Sequence, residues 1–554
     1  MHSFLLELGT EELPADFCRL VLPQLKKIVS DDLTKYSIDY GEVHITTTPR
    51  RIVLHINSLA LSAKDSITEY KGPPLDQAFK DDKPTKAAFG FARRFDLEPN
   101  QLKIKETPKG EFVFAKVVET GATSQKLLGE LVPLWITNLQ GRRFMRWGKG
   151  NLRFSRPIRW IVALLDDQII PIELSEGDPK IISGNITQGS RLYSQSQVVQ
   201  TSQDYFSLIS ELGVIVDREK RRSMIDKLIK EQSSRIKSIP DLSQELLEEI
   251  TDLVEFPKVI VGDFEDKFLD LPSEVLKTVM RVHQRYIPLT LNNSKNDSLS
   301  INSRGQLLPK FVCIANGVTS SEALVRAGNE RVLKARLSDA EFFVKSDLTV
   351  KSSERRSKLS SVSFADTLGS LLDRVERVEY IADLVLNQLV DINIDPVHLR
   401  KAAHFCKHDL VTNIVGEFPE LQGIMGGKYL LNEGETREVA LAVAEHYLPR
   451  FAGDKLPSSD MGNIISLSDK IDVLTSIYSK GERPSGSSDP YALRRAANGI
   501  LQIILSKKWK LDLLSLITLV LDHLNNSFPE LDINQTSIQN ELYDFFRLRL
   551  NNLL

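Results

Sequence analysis

The chain has 554 residues, 42% of them hydrophobic and 26% charged, with a net charge of −3. At roughly 100–200 residues per domain this is a globular chain of about three to five domains, not a fibrous or disordered one. The acidic balance leaves any affinity for a polyanion to local patches, and three scattered cysteines (Cys18, Cys313, Cys406) show no metal or disulfide spacing, which fits a reducing cytosol.

The N-terminus has no basic segment followed by a long apolar run, so it is not read as a signal peptide. No stretch of about 18 apolar residues occurs, so no membrane span is expected. In "FLLELGTEELPA" (4–15) the apolar run Phe4-Leu5-Leu6 reads as a strand carrying one carboxylate, Glu7. Gly9 reads as a turn and Thr10 as a turn or cap. Glu11 and Glu12 then fall near a helix N-terminus, where negative charge is favoured, and Pro14 suits the first turn. The two adjacent acids are therefore read as helix-start residues, not as a catalytic pair. The helix through "ADFCRLVLPQLKKIV" is expected to kink or restart at Pro23.

"EVHITTTPRRIVLHI" reads as two extended runs broken at Pro49, and "EFVFAKVVE" as another strand. The segment 142–159 holds Arg142, Arg143, Arg146, Lys149, Arg153, Arg156 and Arg159 with no acid among them, and Phe144, Trp147 and Phe154 are interleaved. Guanidinium groups pair with phosphate oxygens, and aromatic faces stack on bases or on arginine. The segment is either a polyanion-binding surface or a solvated basic hairpin with its aromatics in the core.

From about residue 200 a helical period takes over. In "LSQELLEEITDLVEFP", Leu246, Leu247, Ile250 and Leu253 share a face and Pro257 ends the helix. "KVIVGDF" and "PKFVCIANGV" read as strands around the helical "PSEVLKTVMRVHQRY", a mixed α/β unit from about 255 to 320. "SKNDSLSINSRGQ" reads as an exposed loop. From about 322 the chain reads as nearly all helix, with "KGERPSGSSDP" a loop. In "RAGNERVLKARLSDAEFF", Arg326, Arg331, Lys334 and Arg336 alternate with Glu330, Asp339 and Glu341, which intrahelical ion pairs explain.

His408 and Asp409 in "AAHFCKHDLV", with Asp469 in "SLSDKIDVL", resemble the metal-binding dyad and distant acid of HD phosphohydrolases. Such a site also needs a histidine on an earlier helix, and "LDRVERVEYIADLVLNQL" has none. His398 and His404 lie on the wrong segment. The set is one ligand short, so no metal is expected there. The phosphate loop G-x-x-x-x-G-K-[ST], the elbow G-x-S-x-G and H-E-x-x-H are all absent.

"FLLELGTEELPA", "TPRRIVLHI", "KGPP" with "PTKAAFGFARR", "RFMRWG…RFSRPIRWIVALL", "LLEEITDLVEFP", "FLDLPSEVL…MRVHQRYIP", "GNERVLKARLSDAEFF", "DLVTNIVGEFPELQGIMG", "PRFAGDKLP" and "SSDPYALRRAANGIL" resemble, in order and from end to end, the blocks of the β subunit of bacterial heterotetrameric glycyl-tRNA synthetase. The resemblance implies a non-catalytic, tRNA(Gly)-binding subunit of an α2β2 enzyme in the cytoplasm. The α subunit would bind ATP, Mg2+ and glycine, and this chain no cofactor. It implies a multidomain α+β fold: a mixed α/β body-tail region (1–200), a B3/4-like α/β domain with flanking helices (201–345), an all-α HD-like helical domain (346–520) and terminal helices (521–554). Family chains continue past a helix equivalent to "ELYDFFRLRLNNLL" into an anticodon-binding domain, which this sequence, ending there, is expected to lack. Arg494 and Arg495 in "DPYALRR" join the 142–159 cations as expected tRNA-backbone contacts. Glycine is the smallest amino acid, so a second sieve by size has nothing smaller to remove, and no editing is expected of the B3/4-like domain. Two other readings stand beside this one: an independent HD-type metal phosphohydrolase, and a stand-alone RNA-binding protein.

Overall fold

The computed structural model describes every residue except 1, 82, 175, 193–194, 293–296, 318–320, 391, 487, 532–533 and 554. The chain forms two compact units. The first comprises Met1–Gln232, Leu242–Ile260 and Ile314–Glu322, and the second Ser233–Asp241, Val261–Cys313 and Ala323–Leu554.

The first unit is built on β1 (His2–Thr10), α1 (Ala15–Lys35), β2 (Val43–Thr48) and β3 (Arg51–Leu59). β1 lies between β3 and the strand Ile158–Leu165, antiparallel to both, and β2 pairs with β3 across the turn at Pro49. Both faces of this sheet are covered. Phe4, Leu6 and Leu8 of β1, with Ile52, Leu54 and Ile56 of β3, pack toward α1 and the helix Ser124–Thr137. Their odd-numbered neighbours Leu5 and Val53 pack with Val162, Tyr205 and Ile209 on the opposite face. The period of two thus places alternate side chains in two separate cores, which is why the "FLLEL" run is apolar at nearly every position. A smaller antiparallel sheet of Ser66–Pro74, Lys103–Thr107 and Gly110–Glu119 lies in the same unit.

Several expectations are corrected here. Gly9 is not a turn. It stands inside β1 directly opposite Trp160, and a Cβ on it would lie 1.9 Å from the indole ring. α1 runs through Pro23 without restarting, because a 21-residue helix buried along one side tolerates the single backbone bond that proline removes. The helix Gln244–Thr251 stops well before Pro257, which instead opens the strand Pro257–Asp263. Leu253 lies beyond the helix end and is 44% exposed.

In the second unit the strands Ser238–Pro240 and Ile287–Leu291 pair antiparallel, residues 307–312 of the strand Leu307–Asn316 pair antiparallel with Ile287–Leu291, and from residue 323 on the unit is mostly helical. The nearly continuous buried helix Asp460–Ser479 packs against Leu371–Gln388, Arg437–Glu445 and Leu493–Lys507. Part of the expected exposed loop (294–306) lies outside the described residues. Its remainder is not an exposed loop: Leu299 is buried in the helical core and Asp297 bonds Arg437. The cations of "NERVLKARL" also differ from expectation. Within the helix Glu322–Leu348, Lys334 pairs with Glu265 at 2.5 Å and Arg336 reaches Glu417 at 4.0 Å, so these pairs are tertiary, not intrahelical. Among the described residues no helix is long and apolar enough to cross a membrane.

Candidate nucleic-acid interface

The basic segment folds as a short hairpin. Met145–Arg146 pairs antiparallel with Arg153–Phe154, so Arg146 stands directly opposite Arg153. At the tip Gly148 has φ +62°, and a Cβ there would lie 1.8 Å from the Asp178 carbonyl oxygen. The Lys149 N–H donates to that oxygen at 3.3 Å, and the Asn151 N–H donates to Glu176 O at 2.8 Å. Only glycine combines this left-handed turn with so close a backbone.

The aromatic residues anchor the hairpin. Phe144 and Phe154 meet Phe17 of α1 edge-on, with ring centroids 5.8 and 5.6 Å away, and Trp147 packs against the same core. Phe154 is fully buried, so its ring cannot stack on a base. The cations face out: Arg142, Arg143, Arg146, Lys149, Arg153 and Arg159 are exposed and Arg156 is half-buried.

Those cations are not equivalent. Arg159 donates to Glu11 at 2.7 Å, and Arg142 lies 3.6 Å from Asp16. Arg191, which no sequence pattern singles out, spans Glu11 at 2.6 Å and Glu12 at 2.9 Å. The hydrogen bond from Arg159 leads the effects that hold the Glu11 carboxyl below its usual range. The opening acids thus bind arginines ahead of the helix and do not occupy its first turn. Arg156 donates to the Ser155 carbonyl. Among the described residues Arg143, Arg146, Lys149 and Arg153 meet no carboxylate. Like charges directly opposite on paired strands repel, and Arg146 and Arg153 keep that arrangement without a counter-charge. Beside the hairpin, Arg142, Arg143 and Arg156 line a recess of about 340 Å³ with Asp16 and Ser155.

The other candidates lie in the second unit. Arg495 is exposed near the start of Leu493–Lys507 and Arg494 is half-buried. The Asp489 carboxylate accepts from the Leu493 and Arg494 N–H groups at 2.8 and 3.0 Å.

His408, Asp409 and Asp469 do not converge. His408 is fully buried, with Nε2 at 3.1 Å from Gly426 O. Asp409 accepts from the Gly423 and Gly426 N–H groups at 2.6 and 2.9 Å. Asp469 is bonded instead by Arg374 at 2.8 Å and Lys407 at 2.9 Å. Two side-chain cations therefore occupy the carboxylate that a metal ion would need. The sequence pattern marks Asp469 as a ligand type and gives no weight to Lys407, although Lys407 immediately precedes the His-Asp pair.

These buried groups make the helical unit acid-sensitive. Burial, aided by the Arg355 charge, brings His408 down to about 3 from 6.5. His446 is shifted the same way, chiefly by burial. A histidine held neutral in the folded state contributes stability that is present above pH 6.5 and lost as the pH falls toward 3. Asp409, raised by burial to about 6, takes up its proton earlier when folded and offsets part of that loss. The His408 share is about 3 kcal/mol by about pH 4. Thermal unfolding followed between about pH 7 and pH 4 should show a falling midpoint. His408→Gln keeps a donor for Gly426 but does not titrate, and it should flatten that fall.

The family described as "Glycyl-tRNA synthetase beta subunit" matches residues 4–554. Similar curated proteins include the glycine–tRNA ligase beta subunit of Trichodesmium erythraeum, 42% identical over 554 residues, covering 100% of this chain and 76% of the relative. The namesake protein of a Synechocystis species is 40% identical over 555 residues, covering 100% and 75%. That of Moorella thermoacetica is 38% identical over 556 residues, covering 100% and 78%.

Proposed function

The chain belongs to the glycyl-tRNA synthetase β-subunit family, and from that premise we propose how it works. It is the tRNA-handling subunit of a glycine–tRNA ligase. Its α subunit carries the chemistry glycine + ATP + tRNA → glycyl-tRNA + AMP + diphosphate and holds the ATP and Mg2+, while this chain binds no cofactor of its own. The assembly is an α2β2 tetramer in the cytoplasm. The observation that carries this reading is the family match over residues 4–554.

Within that frame the hairpin 142–159 binds the tRNA backbone, with Arg143, Arg146, Lys149 and Arg153 as the leading contacts. Arg142, Arg156 and Arg159 flank them, and Arg494 and Arg495 add contacts from the second unit. Phosphate contacts position an RNA without reading its sequence, which suits exposed arginines on a pinned hairpin. Residues 1–200 form the body-tail region, 201–345 the B3/4-like domain, which does not edit, and 346–520 the HD-like helical domain.

The test is reconstitution. The purified chain should not glycylate tRNA alone. Mixed with the smaller α subunit, it should raise glycylation far above that of the α subunit by itself. Activity of the α subunit that is indifferent to this chain would overturn the proposal.

A further inference from the structure

A recess of about 380 Å³ opens in the helical unit, walled by Arg374, Lys470, Arg450 and Arg495 together with Tyr447 and Tyr491. The one acid among its described lining residues is Asp469, and that carboxylate is already bonded by both Arg374 and Lys407. The Lys470 ammonium is nearly buried and, among the described residues, donates only to neutral oxygens, Leu448 O at 2.9 Å and Ser466 Oγ at 2.6 Å. At the rim, Arg450 donates to the Glu420 and Gln422 carbonyls at 3.0 and 3.3 Å, and Arg495 to the Arg450 carbonyl at 3.3 Å. Among the described residues the buried Arg450 Nε has no hydrogen-bond acceptor, and the Arg374 Nε faces Asp472 Oδ2 at 3.3 Å.

The charge balance is lopsided. Deeper in, Asp472 is shared by Arg374 at 3.3 Å and Arg377 at 2.6 Å. Asp469 and Asp472 together thus face Arg374, Arg377 and Lys407, and Lys470, Arg450 and Arg495 remain beyond that, with Asp454 a further acid that acts on Lys470 and accepts from the Arg450 N–H at 2.8 Å. Buried cations without a counter-charge are costly, and guanidinium groups with free N–H positions fit phosphate oxygens. A terminal phosphate is close to a dianion at neutral pH, whereas a backbone diester carries one charge. The recess is larger than a phosphate, and its two tyrosines offer aromatic faces of the kind on which bases stack.

We propose that this recess binds the terminal phosphate of a nucleotide, a phosphomonoester held by Lys470, Arg374, Arg450 and Arg495 without a metal ion. The ester is either a free mononucleotide or the 5′ end of an RNA. This goes beyond the tRNA-backbone reading of the 142–159 hairpin and does not depend on it, and it gives Arg495 a terminal phosphate in place of the backbone phosphate proposed for it above.

The experiment is calorimetric titration of the full chain, without the α subunit, with AMP, with inorganic phosphate, and with one short oligoribonucleotide carrying either a 5′-phosphate or a 5′-hydroxyl. Saturable binding of AMP that is weakened roughly tenfold or more in Arg450→Gln/Arg495→Gln, at unchanged melting temperature, supports the proposal with a free nucleotide as the source. Tighter binding of the 5′-phosphate oligonucleotide than of its 5′-hydroxyl form, with that difference lost in the variant, supports it with an RNA end as the source. Lys470→Met should show the same loss, and the rim double variant decides the matter if that buried substitution does not fold. Absence of saturable binding by every probe, or affinity for AMP and for the 5′-phosphate oligonucleotide unchanged in the rim variant, would overturn it.

Discussion

Arg51→Met should lower stability by about 3–5 kcal/mol, the cost of removing one partner from a buried ion network. The Arg51 guanidinium is fully buried and donates to Glu7 at 2.7 Å, Glu255 at 2.9 Å and the Gln188 carbonyl at 2.9 Å. Thr48 Oγ1 donates to Glu255 at 2.7 Å. Burial alone would push the Glu255 carboxyl up. The Arg51 charge and the hydrogen bonds from Thr48 and Arg51 together outweigh it and hold that carboxyl low. Methionine fills similar volume but leaves two buried carboxylates without their cation. Native domains have only about 5–15 kcal/mol in reserve, so a large part of the margin goes. A urea melt followed by tryptophan emission, to which Trp160 with its ring 5.7 Å from the Arg51 guanidinium contributes, would measure it. The triple variant Arg51→Met/Glu7→Gln/Glu255→Gln should recover part of the loss, because the stranded charges are gone. If the triple variant is no more stable than the single one, stranded charge is not the cause.

Reversing Arg146 and Arg153 together to glutamate should weaken tRNA binding roughly 100-fold, at about 1.5 kcal/mol for each charge-assisted hydrogen bond to phosphate that is removed. The plot of log affinity against log salt should become shallower by about 2, one for each phosphate no longer neutralised. The pairing of these two residues supplies an internal control. The double variant keeps two like charges face to face, so the hairpin carries the same repulsion and the melting temperature should not move. Arg146→Glu alone places opposite charges across the strands and should stabilise the hairpin by about 0.2–1 kcal/mol while still impairing binding. Filter-binding titrations across several salt concentrations would show both effects. Unchanged affinity and slope in the double variant would remove the hairpin from the tRNA interface and leave the family assignment standing.

Much of the architecture was legible where a local pattern decides it. Two extended runs broken at Pro49 marked β2 and β3, the apolar "FLLEL" run marked β1, and helical periodicity marked the second half of the chain. Misreadings fell where a distant residue decides. Gly9 looks like a turn until Trp160, far along the chain, is placed opposite it. Glu7 sits in the strand because Arg51 and Glu255 meet it in space, and Glu255 is 204 positions from Arg51. Leu299 lies in a polar, turn-rich stretch, and only the tertiary fold buries it. The basic hairpin was visible as composition. Which of its cations are taken by Glu11 and Asp16 was not, because those acids precede it by more than a hundred residues. Asp469 drew attention as a ligand because carboxylates are ligand types, yet its partners come from the helix Leu371–Gln388 (Arg374) and from the turn before His408 (Lys407), and no spacing announces them.

The position of β1 also bears on how the chain is made. Its partner strands end at residues 59 and 165, and the charge that completes the Arg51 network arrives with Glu255. At about 5–20 residues per second, a ribosome needs roughly 10–50 s to reach that glutamate. During that interval the apolar segment at the start of the chain is waiting for partners still being synthesised. Completion of the first unit's core is therefore paced by translation.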